Sequence, residues 1–241
     1  MNWTDMIFRR KSVRSYTGEP VDEQTLDRIR HFIREAKPLD PSIRIEADII
    51  PKSDARCILP WLTPQLIAIF SEEQEGWLEN VGFVFQQVDL YLQSMGLGAC
   101  WLGMGRLHSQ ELNTARSRDG MKYVIMLAFG HPKGTALRSG KEEFRRKAIM
   151  DISDLPDNRL EPARFAPSSV NSQPWRFMHE GDTIHACCVR TGLPRQLSDM
   201  NRIDMGIALA HLYAANMDSF RYFKQDVQPP KGCEYIGSFT L

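Results

Sequence analysis

The sequence has few cysteines and no apolar run long enough to span a bilayer. Its longest apolar runs, Leu66–Phe70 and Val124–Phe129, are far shorter than the roughly 20 residues that a transmembrane helix needs. None of the five cysteines belongs to a CxxC pair, which argues against a zinc site or a disulfide framework and favours reduced thiols in the cytoplasm. The amino terminus has no apolar stretch followed by a cleavage site, so no signal peptide is expected.

The sequence also has no excess of charge of either sign. Thirty Lys and Arg residues balance 30 Asp and Glu residues, so the formal net charge is zero. A neutral chain has no overall field that would attract nucleic acid or an anionic membrane, and we expect neither as a partner. With 42% apolar and 25% charged residues, the 241-residue chain has the composition of a globular protein with a substantial core.

The apolar periodicity predicts a mixture of helices and strands. Residues 21–37 predict an amphipathic helix, because Leu26, Ile29 and Ile33 fall on one face and Asp22 can cap its start. A short helix is predicted at residues 160–165. The segments predicted as strands are 43–50, 66–70, 121–129, 175–178, 183–189 and 235–240.

Two long helices divide the chain into similar halves. Glu73–Met95 and Met205–Asp218 are apolar nearly all round and should therefore pack together at the centre. The helix starts Asn80-Val81-Gly82-Phe83 and Asp204-Met205-Gly206-Ile207 look alike, which predicts an internal duplication. The polar stretch Asp151–Pro162 has little to pack and marks a boundary between residues 1–152 and 153–241. The predicted fold class is α+β, with antiparallel-rich sheets around the central helices.

Three segments carry residues that suit ligand binding. In the run Arg9–Tyr16 (RRKSVRSY), four cations and a serine suit a phosphate, although such runs at a helix end are more often solvated surface. The loop Ala166–Phe177 (APSSVNSQPWRF) can offer amide and hydroxyl groups to the edge of a heterocycle, or form an ordinary polar turn. The passage Gly96–Gly103 (GLGACWLG) leaves the long helix, and a helix C-cap explains its first two glycines but not its last.

Together, these segments resemble the nitroreductase family of FMN-dependent oxidoreductases. RRKSVRSY followed by Pro20-Val21 is similar to the family's opening motif, and APSSVNSQPWRF is close to its most characteristic loop. The strand ending in Gly130-His131-Pro132 and the basic segment FRRKAIMDI also fit. The two motifs of one flavin site lie far apart, around Ser12 and Ser169. The chain therefore looks like the family's internally duplicated branch, the TM nitroreductase type, in which one chain imitates a dimer.

The resemblance implies which residues bind FMN. Those implied at the phosphate and the ribityl chain are Arg10, Lys11, Ser12 and Arg146. Arg14 is implied at the pyrimidine end of the ring, where a cation raises the reduction potential of a flavin. Those implied beside the ring and the ribityl chain are Leu102, Gly103, Met104, Pro167, Ser168, Ser169 and Asn171.

The implied activity is flavin-mediated hydride transfer from NADH or NADPH to a nitro compound, a quinone or a related small acceptor. Because the flavin carries out this reaction, the resemblance implies no catalytic side chain and no metal. The alternatives are a non-catalytic flavin-binding or sensing protein, a flavin enzyme of different chemistry, and a structural remnant without flavin. One copy of each motif predicts one FMN per chain, bound by a monomer that acts as a pseudo-dimer.

Overall fold

The chain folds into two antiparallel sheets beside two long central helices. A computed structural model describes residues 2–56, 63–108, 110–190 and 195–241; Cys57 lies outside them. The helices are Trp3–Arg9 (α1), Glu23–Glu35 (α2), Trp77–Ser94 (α3), Gln110–Arg118 (α4), Ile149–Ile152 (α5), Glu161–Arg164 (α6) and Arg195–Ala215 (α7). The strands are Ile45–Pro51 (β1), Ala55–Arg56 (β2), Gln65–Ser71 (β3), Gly98–Leu102 (β4), Arg106–Leu107 (β5), Lys122–Gly130 (β6), Trp175–Glu180 (β7), Thr183–Val189 (β8), Arg221–Phe223 (β9) and Cys233–Thr240 (β10).

The two four-stranded sheets share one topology. Their strand orders are β1-β3-β6-β4 and β7-β8-β10-β9, and β2 pairs separately with β5. Within each large sheet every pairing is antiparallel. In each sheet, two strands precede the long helix in the sequence and two follow it. The fourth of these strands lies between the second and the third. This confirms the predicted α+β fold with one sheet in each half. Among the described helices, none has the length and apolarity that a membrane crossing requires.

The amphipathic helix predicted near residue 22 is confirmed as α2. The Asp22 side chain accepts a hydrogen bond from the Thr25 amide and so satisfies one of the free donors of the first turn. Leu26 and Ile29 are buried, while the opposite face is charged and exposed. Hydrophobic burial on one face thus attaches α2 to the rest of the fold.

Helices α3 and α7 cross at a pair of glycines. A Cβ atom on Gly82 would overlap the carbonyl oxygen of Ile203, and one on Gly206 would overlap that of Glu79. Each glycine therefore faces the backbone of the other helix. The two backbones lie so close together that a larger residue at either position would overlap the facing helix. Both helices are buried on nearly all sides, as their apolar composition predicted. Glycine inside a helix costs conformational entropy on folding, and the close packing of the two backbones offsets this cost.

The predicted starts of both long helices were wrong, and the second helix ends at Ala215 rather than Asp218. Helix α3 starts at Trp77 rather than Glu73, because Gly76 adopts a left-handed conformation (φ 80°) at its cap. Helix α7 starts at Arg195 rather than Met205, because its first turns are polar and show no apolar stripe. The passage after α3 does contain the left-handed cap Gly96, but it continues as strand β4.

The polar stretch around residue 155 packs more than the sequence predicted. Ile152 and Leu160 are completely buried, and Ser153 forms a parallel bridge with Phe177. Isolated apolar residues inside a polar segment can still fill a core when the chain wraps across a sheet edge. The division of the chain at residues 152 and 153 stays a prediction.

We expect Gly82→Ala and Gly206→Ala each to destabilise the protein by about 1–3 kcal/mol, because the added methyl group overlaps a backbone carbonyl of the facing helix. Helix propensity alone would make the alanine variants more stable by about 1 kcal/mol. The sign of the change in the free energy of unfolding therefore distinguishes a clash between the helices from a simple propensity effect. Urea unfolding measures it, with Ser94→Ala at the exposed end of α3 as a control. Two neutral or stabilising substitutions would show that the helices do not approach so closely.

Candidate active site

Two cavities adjoin where the first sheet meets the loop before β7. The first, of about 360 Å³, is rich in arginine and is called the basic cavity; its lining is Arg10, Ser12, Arg14, Arg138, Glu143, Arg145, Arg146, Pro167, Ser168, Val170 and Asn171. The second, of about 240 Å³, is the mixed cavity, lined by Ser12, Arg14, Cys100, Trp101, Gly103, Ile125, Pro167, Ser168, Ser169, Val170, Met200, Ile203, Asp204 and Ile207. Residues common to both linings come from the RRKSVR run and the APSSVNSQPW loop.

The basic run is held in place by α3. Arg10 is 1% exposed, and its Nε donates to Oδ2 of the buried Asp89 at 2.9 Å. Gln93, one turn further along α3, accepts from the Lys11 amide at 3.0 Å. Ser12 then forms a parallel bridge with Ala99 at the edge of the first sheet. These contacts fix the backbone of residues 10–13 against rigid elements.

Asp89 belongs to a buried polar network that reaches α7. Gln86 donates to Asp89 at 2.8 Å, and its amide nitrogen also lies 3.1 Å from His211 Nε2. His211 Nδ1 lies 3.0 Å from the carbonyl oxygen of Pro162, which can only accept. Burial, assisted by the charges of Arg10 and Arg146, lowers the pKa of His211 to about 3. The imidazole is therefore neutral, with its proton on Nδ1 and with Nε2 accepting from Gln86.

The basic cavity holds more positive charge than its acidic residue can balance. Burial, and then the charges of Arg10, Arg138 and Arg164, lower the pKa of Arg146 to about 10. The Nε groups of Arg138 and Arg146 are buried without a hydrogen-bond partner among the described residues. Glu143 is the lining acid, and it lies 3.9 Å from Arg138. Desolvated, mutually repelling guanidinium groups of this kind provide a site for an anion.

The loop before β7 is strained and is held by buried groups. Val170 and Gln173 have φ values of 46° and 49°, which are unusual for residues other than glycine and especially for a β-branched one. Ser168 Oγ accepts from the Gln173 amide at 2.9 Å. Asn171 Oδ1 accepts from Arg146 at 2.6 Å, which ties the loop to the basic cavity. Such strain persists only where surrounding contacts impose it, and it often marks a binding site.

A buried carboxyl group on α7 anchors the same loop. Asp204 is 2% exposed, and its Oδ2 accepts from the Ser169 amide at 2.9 Å. Burial raises the pKa of Asp204 to about 8, although the Ser169 bond acts in the opposite direction. At neutral pH the side chain is therefore largely protonated, and it brings no full negative charge to the mixed cavity.

Most of the residues implied by the sequence motifs line these cavities. Those that do are Arg10, Ser12, Arg14, Gly103, Arg146, Pro167, Ser168, Ser169 and Asn171. Three line neither cavity. Lys11 Nζ donates to Thr135 Oγ1 at 3.0 Å, Leu102 is buried in the core, and Met104 is 62% exposed.

Several lining residues were not predicted. Arg138 lies outside every motif, so nothing in the neighbouring sequence indicates that it belongs to a site. Asp204 belongs to the repeated helix start, where a carboxylate in an otherwise apolar helix could have indicated a special role. Asp89, which lines neither cavity but binds Arg10, was also missed, although it interrupts the apolar pattern of α3 together with Gln86 and Gln93.

Comparison with known proteins identifies the family. A family model described as "Putative TM nitroreductase" matches residues 2–216 of the chain. The chain belongs to this family. No curated protein sequence matches the chain.

The chain is similar to several solved structures of nitroreductases. A putative nitroreductase from Thermotoga maritima is 20% identical, with a TM-score of 0.67 over 99% of this chain and 92% of that one. A nitroreductase family protein from Clostridium difficile 630 is 16% identical, with a TM-score of 0.50 over 66% and 99% of the two chains. An FMN-dependent nitroreductase from Clostridium difficile R20291 is 18% identical, with a TM-score of 0.44 over 56% and 90%. The nitroreductase fold of the chain rests on the first of these.

We expect Asp204→Asn to change the pH dependence of stability. Because the folded-state pKa lies above the unfolded one, the native protein retains a proton that the unfolded chain releases, so stability falls as pH rises toward 8. Asparagine removes this loss and can still accept from Ser169. The free energy of unfolding of each protein is measured with urea between pH 5 and 8. As the pH rises, the value for Asp204→Asn should increase relative to that for the wild type by up to about 1.4 kcal/mol per pH unit.

The matched control is Asp218→Asn, which changes an exposed carboxyl group just beyond the end of α7. Parallel stability curves for the wild type and Asp204→Asn would contradict the assignment of a protonated buried carboxyl group.

Proposed function

We propose that the protein is an oxidoreductase that uses FMN and NAD(P)H to reduce nitro compounds, quinones or related small acceptors. The observation that carries this proposal is the arrangement of the two cavities. An anion site built from arginines adjoins a mixed cavity, and the loop and the basic run contribute to both. FMN has the same two parts, a phosphate and a polar-edged aromatic ring system.

The basic cavity suits the phosphate end of FMN. The unpartnered Nε groups of Arg138 and Arg146 can donate to phosphate oxygens, and a dianion offsets the repulsion among the guanidinium groups. Arg10 is already paired with Asp89, so it contributes less net charge than the sequence alone implied. Ser12 adds a hydroxyl donor at the boundary of the two cavities.

The mixed cavity suits the ring system of FMN. Trp101, Ile203 and Met200 supply apolar surface, and Ser168 and Ser169 supply polar groups. A Cβ atom on Gly103 would lie 2.6 Å from Met200 Cε, so glycine permits the main chain to border the cavity closely. Arg14 lines both cavities and forms no hydrogen bond or ion pair with any described residue. Its guanidinium group is thus available to a ligand.

When bound, FMN supplies the hydride-transfer chemistry, and the protein supplies binding, orientation and charge. The arginines around Arg146 would bind the phosphate. The Ser168–Asn171 loop, held by Asp204 and Arg146, would orient the ring edge. Arg14 would place positive charge where negative charge develops on reduction. Cytoplasmic location stays a prediction from the cysteine content.

We expect Arg14→Met to leave the fold intact, to lower the reduction potential of the flavin and to slow its reduction by NAD(P)H. Lost charge stabilisation of about 2–3 kcal/mol is the physical cause. Redox titration and stopped-flow absorbance measure the two effects, with Arg28→Met on the exposed face of α2 as the matched control. Unchanged potential and rate would remove Arg14 from the site.

The purified protein provides the more general test. A flavin spectrum with NAD(P)H oxidation that accelerates on addition of a nitroaromatic acceptor supports the enzyme. A flavin spectrum without turnover favours the non-catalytic flavin-binding or sensing protein, and failure to bind FMN overturns both.

We further propose that the chain is an internal duplication that retains one flavin site. Asn80 lies two residues before Gly82 on α3, and Asp204 lies two residues before Gly206 on α7, so the two side chains hold equivalent positions. Its Oδ1 accepts from the Leu39 and Asp40 amides at 2.7 and 3.0 Å, as Asp204 accepts from Ser169. The equivalent place in the other half thus has a loop, which carries the acid Asp40, and the neighbouring Glu79 is already paired with Arg202.

One FMN per chain, bound by a monomer, is the expected stoichiometry. The RRKSVR run and the APSSVNSQPW loop occur once each and meet within one molecule, so binding does not require the association entropy of a dimer. Flavin absorbance per chain, combined with mass from light scattering, measures the stoichiometry. Two flavins per chain would reveal a second site, and flavin lost on dilution to monomers would show that the site forms between chains.

A further inference from the structure

The wall of the mixed cavity contains a carboxyl group without a cation partner. Asp204 is 2% exposed and lines this cavity together with Arg14 and Ser169. Its Oδ2 accepts from the Ser169 amide at 2.9 Å, and it forms no ion pair with any residue that the structure describes. An isolated carboxylate is costly to bury, so the group keeps its proton until the pH is high enough to offset that cost. The pKa of Asp204, raised by burial to about 8, agrees with this geometry.

The anchoring of a loop does not require an acidic side chain at this position. Asn80 holds the equivalent position on α3, and its Oδ1 accepts from the Leu39 and Asp40 amides at 2.7 and 3.0 Å. An amide therefore forms the same type of bond as Asp204, at the same number of residues before the crossing glycine. What the carboxyl group adds is a proton that it can release and recover, and it adds this in the half of the molecule that contains the two cavities.

The surroundings of Asp204 contain no other group that ionises so close to neutral pH. The charged and titratable side chains that share its cavity or surround the nearby Cys188 on β8 are Arg14 of the basic run, Cys100 on β4, Glu79 on α3, Glu234 on β10 and Arg202 on α7. The two acids are both paired with Arg202, and loop residues 168–172 have no titratable side chain. Burial raises the pKa of both thiols, that of Cys188 to about 12. The arginine of the basic run thus gives the cavity a fixed charge, whereas Asp204 gives it a charge that depends on pH.

A negative charge that develops in the cavity would make Asp204 a stronger proton acceptor. This step rests on the proposed function, in which the ring of FMN binds in the mixed cavity and gains two electrons there. Like charges in one site disfavour each other, so a carboxylate in the cavity wall is less stable beside a reduced flavin than beside an oxidised one. Protonation of Asp204 removes this repulsion, and Arg14 compensates the charge that remains.

We propose that Asp204 couples proton uptake to the reduction of the flavin. For each hydride that NAD(P)H delivers, the Asp204 carboxylate takes up one proton from solvent and becomes a neutral carboxyl group. It releases that proton when the two electrons pass to the acceptor, and because the hydride supplies both electrons, no further reductant is needed. The coupling operates around and above the pKa of Asp204 in the oxidised protein, since at lower pH the carboxyl group already has its proton.

The test compares the FMN-loaded wild type with Asp204→Asn, and with the exposed Asp218→Asn as the matched control. Redox titrations between about pH 6 and about pH 9.5 measure the midpoint potential of the flavin, which should agree for the wild type and Asp204→Asn at the acidic end. Above about pH 8 the equilibrium constant for reduction of the wild type should fall about tenfold more per pH unit than that of Asp204→Asn, or about 30 mV for a two-electron couple. The Asp218→Asn protein should follow the wild type.

Infrared difference spectra of the wild type, reduced minus oxidised, give a readout that depends neither on turnover nor on the folding of a variant. At about pH 9 reduction should produce the C=O band of a protonated carboxyl group, and at about pH 6 it should not. Parallel potentials of the wild type and Asp204→Asn, absence of the band at pH 9, or its persistence in Asp204→Asn would overturn the inference while FMN binding and NAD(P)H oxidation stay intact. Failure of the protein to bind FMN would instead overturn the proposed function, and this inference with it.

Discussion

A buried ion pair between Arg10 and Asp89 determines where the candidate site can form. Both side chains are excluded from water, so losing either partner would leave an uncompensated charge, at a typical cost of about 3–5 kcal/mol. Gln86 and Gln93 complete the hydrogen bonding of the Asp89 carboxylate. The basic run consequently cannot move away from α3, and its neighbours Ser12 and Arg14 reach the cavities from a fixed backbone.

The glycine crossing transmits this constraint to the other half of the site. Helix α3 holds the basic run through Asp89, and helix α7 holds the Ser168–Asn171 loop through Asp204. Because Gly82 and Gly206 bring the two helix backbones into contact, the two anchored segments face each other across the cavities. The site thus depends on residues that do not touch a ligand, and a change at the crossing would separate the run from the loop.

The sequence predicted those features that local patterns encode. The alternation of residues 43–50 and the apolar run 66–70 identified β1 and β3, and RRKSVR and APSSVNSQPW located the residues that line both cavities. The start of α7 was missed because its first turns carry no apolar stripe. Arg138 and the Asp89 partner of Arg10 were missed for a different reason, since pairings between distant segments are products of tertiary packing. Local spacing contains no information about them.

Asn80 and Asp204 show why two halves of one topology can differ in chemistry. The Asn80 amide both accepts from and donates to its loop, so it holds residues 39–40 without any titratable group. Asp204 performs the same anchoring with a carboxyl group in a buried position, where ionisation is costly. Raising the pH therefore introduces a negative charge only beside the Ser169 loop. Because that charge would lie in the wall of the mixed cavity, the loop that the proposed function places next to the flavin is also the one whose anchor responds to pH.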